Sequence, residues 1–351
     1  MPSDQDQTAE TRFVRKVLIV GAVVAFAALV WSLREILLLV FASVLLAVIL
    51  RFIAEILSVR TGMTNSWSLV VAGGVVVGLV AAVITLFGAQ LAGQFNVLAS
   101  QLQSVERTVA GYFDVSSAKD LLSSSLGSLF ARALSWGTTA IAATAGLLLV
   151  IVGGVYMAID PDIYRNGLIK LVPPEWQPRI RATLDDAGEA LRMWMGAQLL
   201  AMVIVGVLIA VGALLIGIPS ALALGLIFGL TEFVPVVGPI AGAVLVVLVA
   251  IGQSWEMALW ATGLVILVQQ LESNLIMPLV SGRAVQLPPA VGLFAVVAMG
   301  VVFGPLGLVL GYPLAVVSDV AIRRLYVRQT LGEDVEIAAE TSRTDKPSET
   351  S

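Results

Sequence analysis

Residues 67–92 form an apolar run without one charged side chain. A helix of that length exceeds the roughly 20 residues that cross a hydrocarbon core of about 30 Å. Lipid offers no partner for peptide N–H and C=O groups, so a segment placed there must satisfy its own backbone as a helix or a closed barrel. Similar runs cover about 17–33, 36–57, 137–159, 195–217 and 257–280, with two interrupted ones at 219–252 and 289–318. Unbroken stretches of this length suit helices better than the alternating segments of a barrel. The expected fold is an all-α, polytopic transmembrane bundle of about eight hydrophobic segments, two of them broken or re-entrant.

Composition agrees. Apolar residues make up 58% of the chain and charged residues 13%, against about 45–50% and 25% in soluble domains. The chain holds no Cys and no His. Disulfides, thiolate metal sites and imidazole proton shuttles are therefore excluded, and any proton or cation chemistry falls to carboxylates, amides, hydroxyls or backbone carbonyls. The net charge of −4 gives no footprint for nucleic acid. No phosphate-binding G-x-x-x-x-G-K-[ST] run and no H-E-x-x-H occur, so neither direct ATP coupling nor zinc hydrolysis is indicated. The chain is read as a non-enzyme without cofactor or metal.

Residues 1–12 are polar and read as a disordered N-terminus. A transmembrane domain covers 13–328, and a polar, acidic tail, 329–351, reads as disordered. Arg12, Arg15 and Lys16 precede the first apolar run, which is too long and too soon followed by a second to suit a signal peptide. Within the domain, 96–135 carries apolar residues at helical spacing among Ser, Gln and Asp. It reads as an amphipathic extramembrane connector, with a lid or subunit contact as the alternative. Residues 160–193 read as a polar cytoplasmic linker, with a helix after Pro174. Basic residues gather before the first run, after the second, in 160–193 and at Arg323, Arg324 and Arg328. The positive-inside rule then places both termini in the cytoplasm of a multi-pass plasma (inner) membrane protein. Arg51 and Glu55, one turn apart, are expected to form a local ion pair.

The interrupted segments constrain function most. Residues 219–252 break at Thr231–Pro239, which includes Pro235, Gly238 and Pro239. Residues 289–318 break at Gly304-Pro305, with Gly307 following. Each half is roughly 14–16 residues, or about 21–24 Å, short of a full crossing. Gly225/Gly229, Gly238/Gly242, Gly300/Gly304 and Gly307/Gly311 all have the small-xxx-small spacing that lets helices approach closely. Matching Gly/Pro interruptions point to a transporter binding site, because bared backbone survives only where protein or a water-filled cavity shelters it. Two proline-kinked spans without a ligand are the alternative. Kinked spans give eight crossings with Arg283 outside; hairpins entering from opposite faces give six, with Arg283 inside, which suits its charge better.

Glu232 stands at the end of a half-helix, where free carbonyls already carry partial negative charge. A carboxylate there invites a proton or cation; capping or snorkelling are its plainer roles. Gln269, Gln270, Glu272 and Asn274 form a polar stripe within an apolar run. Gln270 and Asn274 share one face, and Gln269 and Glu272 a neighbouring one. The stripe is expected to face the bundle interior or a cavity, with helix–helix hydrogen bonding as the plainer reading.

Several runs resemble the autoinducer-2 exporter (AI-2E) family: Gly196-Ala197-Gln198, Gly217-Ile218-Pro219-Ser220-Ala221, Phe233-Val234-Pro235-Val236-Val237-Gly238-Pro239, Gln269 to Pro278, Gly304-Pro305-Leu306-Gly307 and Gly311-Tyr312-Pro313-Leu314-Ala315. The likeness covers about 10–328. Thr231-Glu232-Phe233 departs from the more apolar stretch expected there. The resemblance implies a polytopic transporter that exports a small polar solute, the namesake being autoinducer-2. It also implies a homo-oligomer, plausibly a pentamer. Some relatives are described as sodium-or-lithium/proton antiporters.

The leading expectation is secondary active export of a small polar solute across the lipid bilayer, driven by H+ or Na+. Glu232 and Glu272 would take the ion, Gln270 and Asn274 the solute. Cation/proton antiport is one alternative. A non-transporting membrane scaffold is another, disfavoured because a scaffold needs neither helix breaks nor a polar stripe.

Overall fold

The computed structural model describes residues 17–81 (except 19, 22, 23, 26 and 80), 140–278 and 287–331. The expectations for 1–12, 96–135, Arg283 and 332–351 concern residues outside these. Among the described residues every regular element is a helix. The first apolar run is helical where described and leads to α1 (Arg34–Thr61), then α2 (Asn65–Leu79) and α3 (Ala140–Ile159). There follow α4 (Pro161–Lys170), α5 (Gln177–Ile216), α6 (Ala221–Thr231), α7 (Val237–Ile251), α8 (Trp255–Leu271) and α9 (Pro289–Ala321). Two π-helices extend the last two: Glu272–Ile276 after α8 and Ile322–Leu331 after α9.

Among the described residues three helices are long and apolar enough to cross a membrane, in the regions 34–61, 177–216 and 290–328; the bent pair 145–159 and 161–170 adds a fourth if it is one span. About eight segments are therefore not counted among them. The apolar character itself is plain: Leu215, Val301 and Leu222 are about four-fifths exposed, a surface suited to lipid tails and not to water.

Local chemistry sets the breaks. Asp160-Pro161 ends α3 and starts α4 at 91° to it. Pro161 brings no N–H, and the Asp160 side chain accepts from Ile163 N–H as an N-cap. Gly217, at φ 83°, closes α5, with Ile218 N–H bonded back to Ala213 C=O, a Schellman-type stop. Ser254 caps α8 by accepting from Met257 N–H at 3.0 Å.

Residues 160–193 are not a linker separate from the next span. They comprise α4, a short turn and the first part of α5, which runs on without interruption into the apolar half. At 40 residues α5 is roughly 60 Å long, about twice the hydrocarbon core, so its polar start projects beyond it.

Both interrupted segments fold back on themselves. In one straight helix Val296 and Gly311 would stand roughly 22 Å apart. A Cβ built on Gly311 would instead lie 2.8 Å from Val296 Cα, and one on Gly307 would strike the Met299 carbonyl. The residues before and after Gly304 are thus antiparallel legs of a helical hairpin. Gly304 makes its turn at φ 68°, ψ −149°, a conformation close to glycine-only. In the first segment a Cβ on Gly242 would meet the Phe228 ring at 2.7 Å, and one on Gly238 the Thr231 carbonyl. α6 and α7 are therefore also a hairpin.

The turn of this first hairpin is tight. Val236 adopts φ 70°, ψ −52°, and Val237 N–H bonds Pro235 C=O at 2.9 Å, a γ-turn that is strained for a β-branched residue. The first hairpin starts beyond the C-terminal end of α5 and its tip points back along α5. The second has its open end where the polar start of α5 lies, since Arg324 pairs with Asp186. The two hairpins enter the bundle from opposite ends.

α5 is the hub, touching α1, α4, α6, α8 and α9. In lipid, helices associate through close packing more than through hydrophobic burial, and α5–α6 is the clearest case. A Cβ on Gly206 would lie 2.9 Å from the Gly225 carbonyl, and one on Gly229 2.6 Å from the Met202 carbonyl. Around this contact Val205, Ile209, Phe228, Val246 and Ala261 are wholly buried.

Candidate functional site

The first hairpin delivers Glu232 to the interior. Glu232 follows the last residue of α6, and its N–H still bonds Phe228 C=O at 3.1 Å. Gln198 of α5 donates its Nε2 to the Glu232 carbonyl at 2.7 Å. The Glu232 side chain is 2% exposed, and its Oε2 has no hydrogen-bond partner.

α8 delivers the opposing group. At Leu271 the helix widens into the π-helix Glu272–Ile276, a distortion that recurs at functional sites. It turns Glu272 inward, 9% exposed, where its carboxyl lies beside that of Glu232. Gln269 Nε2 donates to Glu272 Oε2 at 2.9 Å. Among the described residues no Lys or Arg forms an ion pair with either carboxyl.

The polar stripe divides. Glu272 and Gln269 face the interior, whereas Gln270, Ser273 and Asn274 are exposed. Asn274 Nδ2 donates to Gln270 Oε1 at 3.1 Å on that outer face. Of the expected interior or cavity facing, Glu272 takes the buried position and Gln270 and Asn274 the exposed one, because successive helical residues turn by about 100° and four cannot share one side. Pro235, Gly238 and Pro239 sit in or beside the first tip; Gly304, Pro305 and Gly307 form the second.

An aromatic group joins the hairpins. Trp194 of α5 meets Phe233 edge-on at 5.9 Å and stacks on Tyr312 at 5.3 Å. Gln198 and Trp194 were missed as site residues. Gln198 stands out as an amide within an apolar run, but its partner is a backbone carbonyl in a distant segment.

The expected Arg51–Glu55 pair is replaced by longer-range contacts. Arg51 Nε donates to Ala158 C=O at 2.9 Å, and Glu55 pairs with Arg192. α1 is thereby tied to α3 and α5 instead of to itself. Arg165 pairs with Asp185 at 2.5 Å, and Arg324 with buried Asp186, so the polar start of α5 is anchored to α4 and to the end of α9.

The family profile described as AI-2E family transporter matches residues 20–326. The chain belongs to the AI-2E transporter family. This AI-2E chain is similar to three proteins whose names assign transport provisionally. It is 33% identical to YrrI of Bacillus subtilis over 165 residues, 47% of each chain. It is 28% identical to YueF of the same organism over 259 residues, 69% of this chain and 70% of that one. It is 28% identical to MT0215 of Mycobacterium tuberculosis over 209 residues, 59% and 57% respectively. The match thus spans about half the length of YrrI. These names are those of transport proteins and not of enzymes. In this AI-2E chain the tip of the first hairpin and the π-helix after α8 bring two acidic side chains together in the interior.

Proposed function

We propose that the chain is a secondary active transporter of the cell membrane, exporting a small polar, autoinducer-2-like solute against an inward flow of H+ or Na+. The observation that carries this is the Glu232–Glu272 contact at the tip of a re-entrant hairpin. Ionised carboxylates only accept hydrogen bonds, so contact between two of them persists when a proton or small cation stands between. Entry and departure of that ion changes what holds the tip against α8. Access from the two membrane faces is thereby linked to ion occupancy. Inward-facing Gln269 offers an amide to the solute or ion, and Gln270 and Asn274 take the solute only if their outer face borders its path.

Monovalent cation/proton antiport is the second reading. It is favoured by the carboxyl pair itself, which lacks an ion-pair partner among the described residues and needs no organic solute to account for it. Both termini are proposed to be cytoplasmic. The chain is proposed to self-associate as a pentamer, supported by Gly73, Gly74 and Gly78 of α2, beside whose Cβ positions no atom of the described residues lies.

Proteoliposomes with imposed proton or sodium gradients test these readings. One arm follows labelled autoinducer-2; the other follows proton movement with a trapped pH dye after addition of Na+ or Li+. Gradient-driven solute flux that Glu272→Gln abolishes supports export. Cation-driven proton movement without solute, lost in the same variant, supports antiport. Neither flux in the native protein overturns both.

A further inference from the structure

Two uncharged residues one turn apart on α5 hold the tip of the first hairpin. Gln198 is buried and donates to the Glu232 carbonyl, a group near a helix end that lacks the usual in-helix donor. Trp194, also buried, lies on the same face. Its ring meets Phe233, the residue after Glu232, edge-on at 71° between planes and stacks on Tyr312 at 21°. Tyr312 is backed by Gly292, where a Cβ would run into the ring. The tip is thus seated on α5 by one hydrogen bond and braced against the second hairpin by one aromatic stack.

We infer that Gln198 is a positioning residue for Glu232: its amide fixes the hairpin tip so that the Glu232 carboxyl meets Glu272, and Trp194 keeps the tip from turning away. This rests on the reading of the carboxyl pair as the coupling site. A glutamine suits the task because it donates without bringing charge. Leucine fills the space without a donor, and ionised glutamate only accepts. Away from water a lost donor is not replaced, so the carbonyl turns to find another partner and carries Glu232 with it. Around Glu232 stand Glu272 from the π-helix after α8, with neutral Gln269 of α8 bonded to it, and Gln198 from α5. The charged residues of α5 on this side, Asp186 and Arg192, are engaged by Arg324 and Glu55. The second hairpin contributes Tyr312 through the Trp194 ring.

Infrared difference spectra between acid and alkaline buffer, taken on the protein in liposomes, report the Glu232 carboxyl through the band that Glu232→Gln removes. In Gln198→Leu that band is expected to shift, and its titration midpoint to move by about one pH unit, a tenfold change in affinity for the proton. Trp194→Ala is expected to displace the band and Trp194→Phe to restore it. In parallel, Gln198→Leu should raise the driving-ion concentration for half-maximal flux about tenfold with little change in maximal rate. A Gln198→Leu protein with lowered thermal stability but the native band and midpoint would make the role merely structural and overturn the inference. Should Trp194→Ala fail to fold, Gln198→Leu, which keeps side-chain volume, decides alone. A native protein without gradient-driven flux, whose Glu232 band still responds to Gln198→Leu, removes the transport reading and leaves the positioning role standing.

Discussion

The carboxyl groups of Glu232 and Glu272 lie side by side, although one ends a half-helix and the other opens a π-helix in a different segment. Each is brought there by a departure from regular helix. Such contact between two acids inside a membrane protein is costly unless something is bound between them.

Replacing either acid by its amide separates function from fold. Glu272→Gln and Glu232→Gln keep shape and hydrogen-bonding capacity while removing the titratable group. Gradient-driven flux is expected to fall at least about tenfold in each, with unfolding temperature in detergent unchanged or raised. Full flux in both would show the pair to be a structural contact.

Gly304 stands where other residues are strained. A Cβ there meets open space, yet φ 68°, ψ −149° penalises any L side chain. Gly304→Ala is expected to destabilise by about 1–3 kcal/mol, seen as a lower unfolding temperature. Native stability in this variant would mean the turn is made differently.

Gly225 is limited by space instead. A Cβ there would lie 2.5 Å from Ala210 Cβ and strike the Gly206 carbonyl. Gly225→Val should cost about 1–3 kcal/mol or more through overpacking. Gly263→Val, with no atom of the described residues beside its Cβ position, is the matched control and should cost little beyond helix propensity.

Arg324 and Asp186 pair at the polar end of α5, Asp186 being 1% exposed. Arg324→Ala removes a cation paired with this buried carboxylate, a loss of up to about 3–5 kcal/mol. Adding Asp186→Ala should recover much of it, and thermal unfolding of the single and double variants measures the difference.

The chain lacks Cys, so single introduced cysteines report sidedness cleanly. Opposed hairpins predict that Arg283→Cys and Arg179→Cys react with an impermeant thiol reagent from the same face, and Gln253→Cys from the other. Reaction of Arg283→Cys from the face opposite Arg179→Cys, with Gln253→Cys now reacting from the Arg179 face, would replace both hairpins by kinked spans.

Much was legible in the sequence because lipid simplifies the rules. Uncharged runs, Gly-Pro interruptions and small-xxx-small spacings dictated helices, breaks and close packing without knowledge of neighbours. Glu232 and Glu272 were legible as expensive groups in an apolar setting, and Gln269 as sharing a helix face with Glu272. The sequence left open whether Gly304-Pro305 kinks a span or reverses it, since glycine permits both and only the seat of Gly311 on Val296 decides. It also gave no reason to join Glu232 to Glu272, Gln198 to a carbonyl across the bundle, or Glu55 to Arg192 in place of Arg51. Those pairings depend on which helix faces meet, and helical periodicity fixes a face only relative to its own axis. The rotation of one axis against another is set by packing, which exists only once the chain has folded.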